Sequence, residues 1–180
     1  NGEIVMSELL THEEYKSLAA SLDFPQSPFI DGKYYKGSGA LLTTLNPFTG
    51  KEITSITTAS DEDVDLAVEK AREAFDQGRW CRLHPSERKN ILIRLCKLLT
   101  RNQKELAVME SLESGKPIRD CVQIDLPETI HTIKWHAELI DKIYDQTAPS
   151  GDDALSVIIR EPIGVVAAIL PWNFPLLMLA

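Results

Sequence analysis

Apolar residues recur three or four positions apart between residues 60 and 144, and this spacing predicts four successive helices. Ser60 is a good N-cap for the first helix, and the acidic residues after it occupy a first turn where the helix dipole favours negative charge. Pro85 suits the first turn of the second helix, and Asn102 suits the N-cap of the third. The middle of the chain is therefore predicted to be helical.

Glycines and prolines mark the ends of these helices. Gly78 is predicted to end the first helix, and Gly115, with a proline two positions beyond it, is predicted to end the third. The fourth helix is predicted to begin near Ile118 or Pro127 and to keep one apolar side as far as Tyr144.

Shorter stretches outside this region are predicted to form strands. An Asp-Gly pair between apolar flanks is typical of a tight hairpin turn. Residues 165–170 form a continuous apolar run, as expected for a strand buried on both faces of a parallel sheet. The predicted strands are 29–34 as a hairpin, 41–45, 53–58, 155–159 and 165–170, and a short polar helix is predicted over 7–22.

The last part of the chain, from Pro162 to Ala180, carries no charged residue. Such a stretch meets the length criterion for a membrane span, but Pro171, Asn173 and Pro175 interrupt it. We favour a buried strand, a sharp turn and the start of a buried helix, and we expect no membrane attachment. Because burial of large apolar side chains is favourable, we expect the chain to be the N-terminal piece of a larger protein.

The composition argues against several classes of function. Lys and Arg total 19 and Asp and Glu total 27, and the formal net charge of −8 makes a nucleic-acid partner unexpected. The 3 cysteines form no C-x-x-C pair and the 4 histidines are scattered, so neither a zinc site nor a disulfide framework is predicted. The odd cysteine count and the lack of a basic, then apolar leader at the start lead us to expect a cytoplasmic protein.

The turn Pro171-Trp172-Asn173-Phe174-Pro175 is the strongest candidate for chemistry. It follows a predicted strand and precedes a predicted helix, and open α/β sheets bind ligands at the carboxyl ends of their strands. The Asn173 carboxamide is a neutral donor, suited to stabilise an oxyanion that develops during a reaction. The alternative is that Asn173 caps the helix and Trp172 belongs to the core.

Four segments, in order along the chain, resemble the aldehyde dehydrogenase superfamily. The longest match lies in residues 161–176, E-P-I-G-V-V followed by I-L-P-W-N-F-P-L. Earlier segments are similar to the family's N-P-x-T-G turn (46–50), its W-x…R segment (80–88) and its E-[ST]-x-[DN]-x-G-K-P motif (110–117). The resemblance extends over roughly residues 28–180.

This resemblance implies an α/β fold that begins a Rossmann-like NAD(P)-binding domain, with an N-terminal β-hairpin, a helical segment and part of an oligomerisation hairpin. It implies an N-terminal extension over residues 1–27 and the first part of the cofactor-binding domain over 28–144. An oligomerisation strand region would follow over 145–162. The first Rossmann strand and the truncated start of its helix would occupy 163–180. A homodimer or homotetramer is expected.

The resemblance also implies roles for individual residues. Asn173 would be the oxyanion donor in catalysis. The residues implied to line the cofactor cleft are Ile169, Leu170, Pro171 and Trp172. Those implied to line the aldehyde tunnel are Phe174, Leu177 and Met178, with Ile124 and Glu128 at its mouth. Ile56 and Glu113 are similar to a cation site of some relatives, although the family usually has Asp or Asn where Glu113 stands.

The implied function is oxidation of an aldehyde to a carboxylic acid with NAD or NADP, through a cysteine thiohemiacetal. The family's catalytic cysteine, general-base glutamate and cofactor loop would lie beyond Ala180. None of Cys81, Cys96 and Cys121 stands in a matching context, so residues 1–180 alone are expected to be inactive. The alternative is a truncated, non-catalytic binding or interaction module of the same fold.

The segment over residues 134–144 is similar to the branch that oxidises γ-glutamyl-γ-aminobutyraldehyde and related aminoaldehydes. A carboxylate at Glu128 would attract the cationic end of such a substrate. The alternative is that Glu128 belongs to an ordinary solvated helix face. The expected partner is a small-molecule aldehyde, with an ω-aminoaldehyde favoured.

Overall fold

The computed structural model describes residues 8–180, which form seven α-helices, one π-helical segment and three short strand pairs. The helices are α1 (His12–Ser21), α2 (Asp61–Asp76), α3 (Pro85–Arg101), α4 (Gln103–Ser114), α5 (Ile118–Asp120), α6 (Leu126–Leu139) and α7 (Pro175–Leu179). The π segment, Cys121–Asp125, joins α5 to α6. The helix predicted over 7–22 is therefore shorter than expected, and its first predicted residue lies outside the described part of the chain.

Each described strand pairs with one antiparallel neighbour. The pairs are β1 (Phe29–Ile30) with β2 (Lys33–Tyr34), β3 (Leu41–Leu45) with β4 (Glu52–Thr57), and β5 (Gln146–Ala148) with β6 (Ser156–Ile158). The turn between β1 and β2 has φ values of 49° at Asp31 and 80° at Gly32, as the Asp-Gly signal predicts. The strand predicted over 155–159 is confirmed in its central residues.

Local signals account for most helix ends. Ser60 accepts a hydrogen bond from the Asp63 amide at 3.3 Å and so caps α2, and Gly78 follows that helix with a φ of 72°. The second predicted helix begins at its proline, as expected. Asn102 acts differently from the prediction, because its side-chain amide donates to the Leu98 carbonyl at 2.8 Å and makes no capping bond to α4. It therefore ends α3.

The fourth predicted helix is confirmed with two differences. Its first part consists of α5 followed by the π segment. In the π segment the backbone hydrogen bonds span one residue more than in an α-helix. It also ends at Leu139, short of Tyr144, whose side chain is 79% exposed.

The core lies where the helices meet. α3 packs along α6, α4 packs against the π segment, and α7 packs against α6. Burial of apolar surface at these contacts stabilises helices that would be marginal in isolation. The central side chains are Ala107, Cys121, Val122 and Leu126, with Tyr15, Leu106, Ile118 and Leu176 packed against them.

The prediction of a buried strand over residues 165–170 is wrong for this structure. Residues 159–171 form neither helix nor strand, and Ile169 is 99% exposed. A strand requires hydrogen bonds from a neighbouring strand, and none of the pairs among residues 8–180 includes this run. The run has the side chains of a buried strand, and the described residues provide no sheet to bury them. None of the helices between residues 8 and 180 combines the length and hydropathy that crossing a membrane demands.

Candidate active site

Residues 171–174, which we call the Asn173 turn, lead directly into α7. Asn173 is exposed, and its carboxamide forms no hydrogen bond within residues 8–180. The alternative in which Asn173 caps α7 is wrong, because Phe174 is the N-cap and no side chain caps the helix. Trp172 is 75% exposed and so does not belong to the core. The amide donor is therefore available to a ligand, as the predicted oxyanion role requires.

A pocket of about 260 Å³ opens beside the turn. Trp172 and Pro175 form one side of it, and residues from β3 and α4 form the other. The β3 and α4 residues that line it are Thr44, Leu45, Glu110, Glu113 and Ser114. The Asn173 turn is thus flanked by a small cleft rather than packed tightly against the helices.

The turn contacts the helical region through Phe174. The ammonium nitrogen of Lys116 lies 3.7 Å from the centroid of the Phe174 ring, a short cation–π distance. The same nitrogen donates a hydrogen bond to the Asp125 carboxylate and lies 3.7 Å from Oε1 of Glu110. Lys116 therefore links the aromatic ring of the turn to two carboxylates.

Both of these carboxylates are buried. The side chains of Glu110 and Asp125 are each only 2% exposed, and neither Glu110 oxygen has a hydrogen-bond partner among the described residues. Burial, followed by the neighbouring Asp125 carboxylate, raises the pKa of Glu110 to about 7, while the Lys116 charge acts in the opposite direction. Glu110 is therefore divided between its protonated and ionised forms near neutral pH.

Cys121 lies beside these carboxylates. Its sulfur and one oxygen each from Glu110 and Asp125 are within 4.8 Å of one another. Burial and the neighbouring negative charges raise the pKa of the Cys121 thiol to about 12, so the thiol stays protonated and unreactive. The Lys116 ammonium already supplies the positive charge of this cluster. Burial likewise raises the pKa of Cys96, as expected for an inert core thiol.

Three of the four family-like segments meet around Lys116. Gly115 has a φ of 75°, and a Cβ at this position would lie 2.8 Å from Cγ of Pro47 in the 46–50 turn. Only glycine suits both this backbone conformation and this close approach. The 110–117 segment therefore meets the 46–50 turn at Gly115 and Phe174 at Lys116.

The remaining predicted site residues lie on neighbouring elements. Ile169, Leu170, Pro171 and Trp172 form an exposed, mainly apolar strip that leads into Asn173, with Ile169 fully outside the core. Leu177 and Met178 lie on α7, which packs against α6. Ile124, in the π segment, is 52% exposed, and Glu128 is exposed in the first turn of α6. The arrangement is compatible with the predicted tunnel, whose individual residues stay predictions.

The cation site predicted at Ile56 and Glu113 also stays a prediction. Ile56 lies in β4, opposite Leu42 of β3, and Glu113 is exposed near the end of α4 beside the pocket.

The sequence did not indicate the buried cluster of Glu110, Lys116, Cys121 and Asp125. Glu110 and Lys116 belong to a recognised motif, but nothing in the spacing marked them as buried. Asp125, which pairs with Lys116, is the last residue of the π segment, and side-chain periodicity does not reveal a π turn. The available signal was an acidic residue among the apolar residues of α4. Such a position suggests burial, and a buried acidic side chain usually has a charged partner.

Comparison with protein families matches the chain to the Aldehyde dehydrogenase family over residues 34–180. Aminoacetaldehyde dehydrogenase of Pseudomonas aeruginosa is 57% identical over 97% of this chain and 36% of its own length. The NADP/NAD-dependent aldehyde dehydrogenase PuuC of Escherichia coli is 38% identical over 91% of this chain and 33% of its own. The chain thus spans about a third of the length of these relatives.

Solved structures give the same result. The aldehyde dehydrogenase KauB from Pseudomonas aeruginosa superposes with a TM-score of 0.92 at 41% identity, over 95% of this chain and 35% of that one. The P. syringae indole-3-acetaldehyde dehydrogenase AldA, in complex with NAD+ and IAA, gives a TM-score of 0.91 at 41% identity over the same shares. The helices and small antiparallel pairs described above are therefore those of the N-terminal part of this fold.

Proposed function

The chain belongs to the aldehyde dehydrogenase family, and from that premise we propose that it is the N-terminal part of an enzyme that oxidises an aldehyde to a carboxylic acid with NAD(P)+. The observation that carries the proposal is the exposed Asn173 carboxamide, which has no hydrogen bond within residues 8–180 and lies beside an open pocket. A neutral donor of this kind, once positioned, stabilises negative charge that develops on a carbonyl oxygen.

The chemical role proposed for Asn173 is to donate a hydrogen bond to the aldehyde oxygen as a nucleophile attacks its carbon. Removal of one such donor typically costs about 2.7–4 kcal/mol of transition-state stabilisation. An amide suits this role because it carries no charge of its own, so it favours the developing anion without binding a free carboxylate strongly.

Residues 169–172 are proposed as one wall of the cofactor cleft. Their exposed apolar and aromatic surface suits the face of a nicotinamide and its ribose. The sequence has no G-x-G-x-x-G motif, so the groups that bind the cofactor phosphates are proposed to lie elsewhere in the enzyme. When bound, NAD(P)+ supplies the acceptor for the hydride that leaves the substrate.

The nucleophile and general base are proposed to lie outside residues 1–180. Burial raises the pKa values of Cys96 and Cys121, which disfavours the thiolate that attack on an aldehyde requires. The segment alone is therefore expected to be inactive.

The proposed substrate is an ω-aminoaldehyde or γ-glutamyl-aminobutyraldehyde. Glu128 is exposed in the first turn of α6, on the element that α7 packs against, where its carboxylate attracts a cationic substrate end. The name of the Pseudomonas aeruginosa relative, aminoacetaldehyde dehydrogenase, supports an aminoaldehyde.

The β5–β6 hairpin is proposed to contact a second copy of the enzyme. Val157 and Ile158 on β6 are about half exposed, and Leu155 just before it is 80% exposed, so the hairpin presents an apolar edge. The domain boundaries predicted from the sequence, a homodimeric or homotetrameric assembly and a cytoplasmic location remain part of this proposal.

The direct test is to purify the full-length enzyme that carries these residues and follow NAD+ or NADP+ reduction with aminoaldehydes and with simple aldehydes. We expect aldehyde-dependent reduction by the full-length enzyme and none by residues 1–180. Turnover by residues 1–180 alone would contradict the placement of the nucleophile. Lack of turnover by the full-length enzyme, together with a monodisperse 1–180 fragment, would favour the binding-module alternative.

A further inference from the structure

We propose that Lys116 is a positioning residue for the Asn173 turn: its ammonium, anchored by the buried Asp125 carboxylate beside Glu110, holds the Phe174 ring and thereby fixes where Asn173 points. This inference rests on the proposed function, since it presumes that Asn173 meets the reacting carbonyl. It adds a part of the molecule, the buried charge cluster on α4 and the π segment, that the proposed chemistry does not otherwise use.

The first step is that the turn has few other restraints. Residues 159–170 before it form neither helix nor strand, Trp172 is 75% exposed, and the Asn173 side chain has no hydrogen bond within residues 8–180. After it, α7 is a single short helix held to the core through Leu176. The contact between Phe174 and Lys116 is therefore a direct restraint that the helical region places on the turn.

The second step is that Lys116 is itself fixed in place. Its side chain is bound by Asp125 and lies near Glu110, both buried. Its backbone is also held, because the Ser111 hydroxyl donates to the Lys116 carbonyl at 2.7 Å and the Lys116 amide donates to the Ser114 hydroxyl at 3.3 Å. A cation held from both sides is a rigid support, unlike a lysine that is free to move in solvent.

The third step concerns the strength of the contact. The ammonium lies 3.7 Å from the Phe174 ring centroid, and the Lys116 side chain is only 21% exposed. Attraction between a cation and an aromatic face increases when water is excluded. The Lys116 ammonium thus contacts the Phe174 ring and the buried Asp125 carboxylate in a place from which most water is excluded.

The test uses the full-length enzyme with Lys116→Met, which keeps the length of the side chain and removes its charge. Lys97→Met is the matched control, because Lys97 is exposed on α3 and forms no ion pair within residues 8–180. We expect Lys116→Met to lower kcat by about tenfold or more while changing KM for the aldehyde by less than about threefold, since a misplaced donor weakens the transition state rather than ground-state binding. The control is expected to match wild type.

A double-mutant cycle separates positioning from a general loss of stability. Phe174→Leu removes the aromatic face and leaves the charge cluster intact, so it remains informative if Lys116→Met fails to fold. If Lys116 acts through Phe174, the double variant loses little more kcat than Phe174→Leu alone, and Phe174→Tyr stays closer to wild type than Phe174→Leu. Multiplicative losses in the double variant, or equal kcat in Phe174→Leu and Phe174→Tyr, would overturn the proposal.

A structural readout distinguishes failure of this proposal from failure of the proposed function. Hydrogen exchange of the peptide over residues 172–180 includes the Met178 amide, which donates to the Phe174 carbonyl at 2.9 Å. We expect Lys116→Met to accelerate exchange in this peptide about fivefold and to leave exchange in α3 unchanged. Unchanged exchange would refute positioning even in an active enzyme. Faster exchange together with an Asn173→Ala variant of normal kcat would uphold positioning and refute the oxyanion role.

Discussion

Among single side chains, Glu110 is a buried carboxylate whose pKa is strongly raised. Its carboxylate is buried without a hydrogen-bond partner in the described part of the chain, and it faces Asp125, Cys121 and the Lys116 ammonium. Burial raises its pKa from 4.5 to about 7. The folded protein therefore holds a proton on this group at pH values where the unfolded chain has lost it.

This raised pKa gives a stability prediction with a definite sign. The stabilising contribution of protonated Glu110 is complete below about pH 4.5 and is lost as the pH rises through about 7. Glu110→Gln removes that loss, so between pH 5.5 and pH 8 the variant should gain stability relative to wild type, by about 2 kcal/mol. Thermal melts of the full-length enzyme at the two pH values measure the difference.

The matched control is Glu113→Gln, which changes an exposed carboxyl on the same helix. Its difference from wild type should be the same at both pH values. An identical pH trend in the two variants would show that burial of Glu110 is not the cause.

A second residue, Glu128, tests substrate choice. Because its carboxylate is exposed, its attraction for a cationic substrate end is modest, and Glu128→Gln should lower kcat/KM for aminoaldehydes by about fivefold. Uncharged aldehydes of similar length should be affected less than about twofold. Steady-state kinetics on matched substrate pairs measures both values, and equal losses on the two substrates would exclude charge recognition.

At the scale of single residues, the motif in the sequence indicated Asn173 as a candidate donor, but it did not indicate which residues surround the turn. That Phe174 rather than Asn173 is the N-cap follows from backbone angles at the turn. The ion pair of Lys116 and Asp125 depends on how a π segment aligns two elements. Neither feature follows from local spacing, because both depend on three-dimensional packing.

Among the elements, the end of α4 is under a close steric constraint from the 46–50 turn. Gly115 combines a positive φ with a close approach to Pro47, whereas Gly50, with a φ of 66°, has open space where a Cβ would stand. Alanine strains the backbone at both positions, but it adds a steric clash only at Gly115.

The two glycines therefore form a matched pair. We expect Gly50→Ala to lower the free energy of unfolding by about 1 kcal/mol and Gly115→Ala by about 2–4 kcal/mol. Denaturant unfolding of the full-length enzyme compares them. Equal losses would mean that the contact between the 46–50 turn and α4 contributes nothing to stability.

The elements also show which kinds of pattern predict structure. Helices α2, α3 and α4 were predicted from apolar spacing and end signals because their hydrogen bonds are internal to each segment. The run at 165–170 has strand-like side chains, but a strand depends on a partner that local sequence does not encode, and here it forms none.

On the scale of the whole molecule, large apolar side chains are exposed along residues 155–170. Leu155 is 80% exposed and Ile163 92%, and the chain spans about a third of the length of its relatives. Contiguous apolar surface of this kind marks a contact with other protein surface. In the full-length enzyme we expect the remaining domains and a second copy to cover it.

This surface predicts the behaviour of residues 1–180 in isolation. The fragment should self-associate, and size-exclusion chromatography should show species larger than a monomer. Replacing Ile163 and Ile169 with Ser should shift the profile towards monomer, because both side chains are almost fully exposed and packed against nothing. A monodisperse monomer with a cooperative melt would instead favour an independent binding module.

The central claim, that the Asn173 carboxamide stabilises the oxyanion, is tested most directly by the kcat of Asn173→Ala in the full-length enzyme. We predict that kcat falls by about 10²–10³-fold. Affinity for the cofactor and thermal stability should stay close to wild type, because the side chain makes no hydrogen bond within residues 8–180 whose loss would destabilise the fold. A kcat within about threefold of wild type would contradict the account.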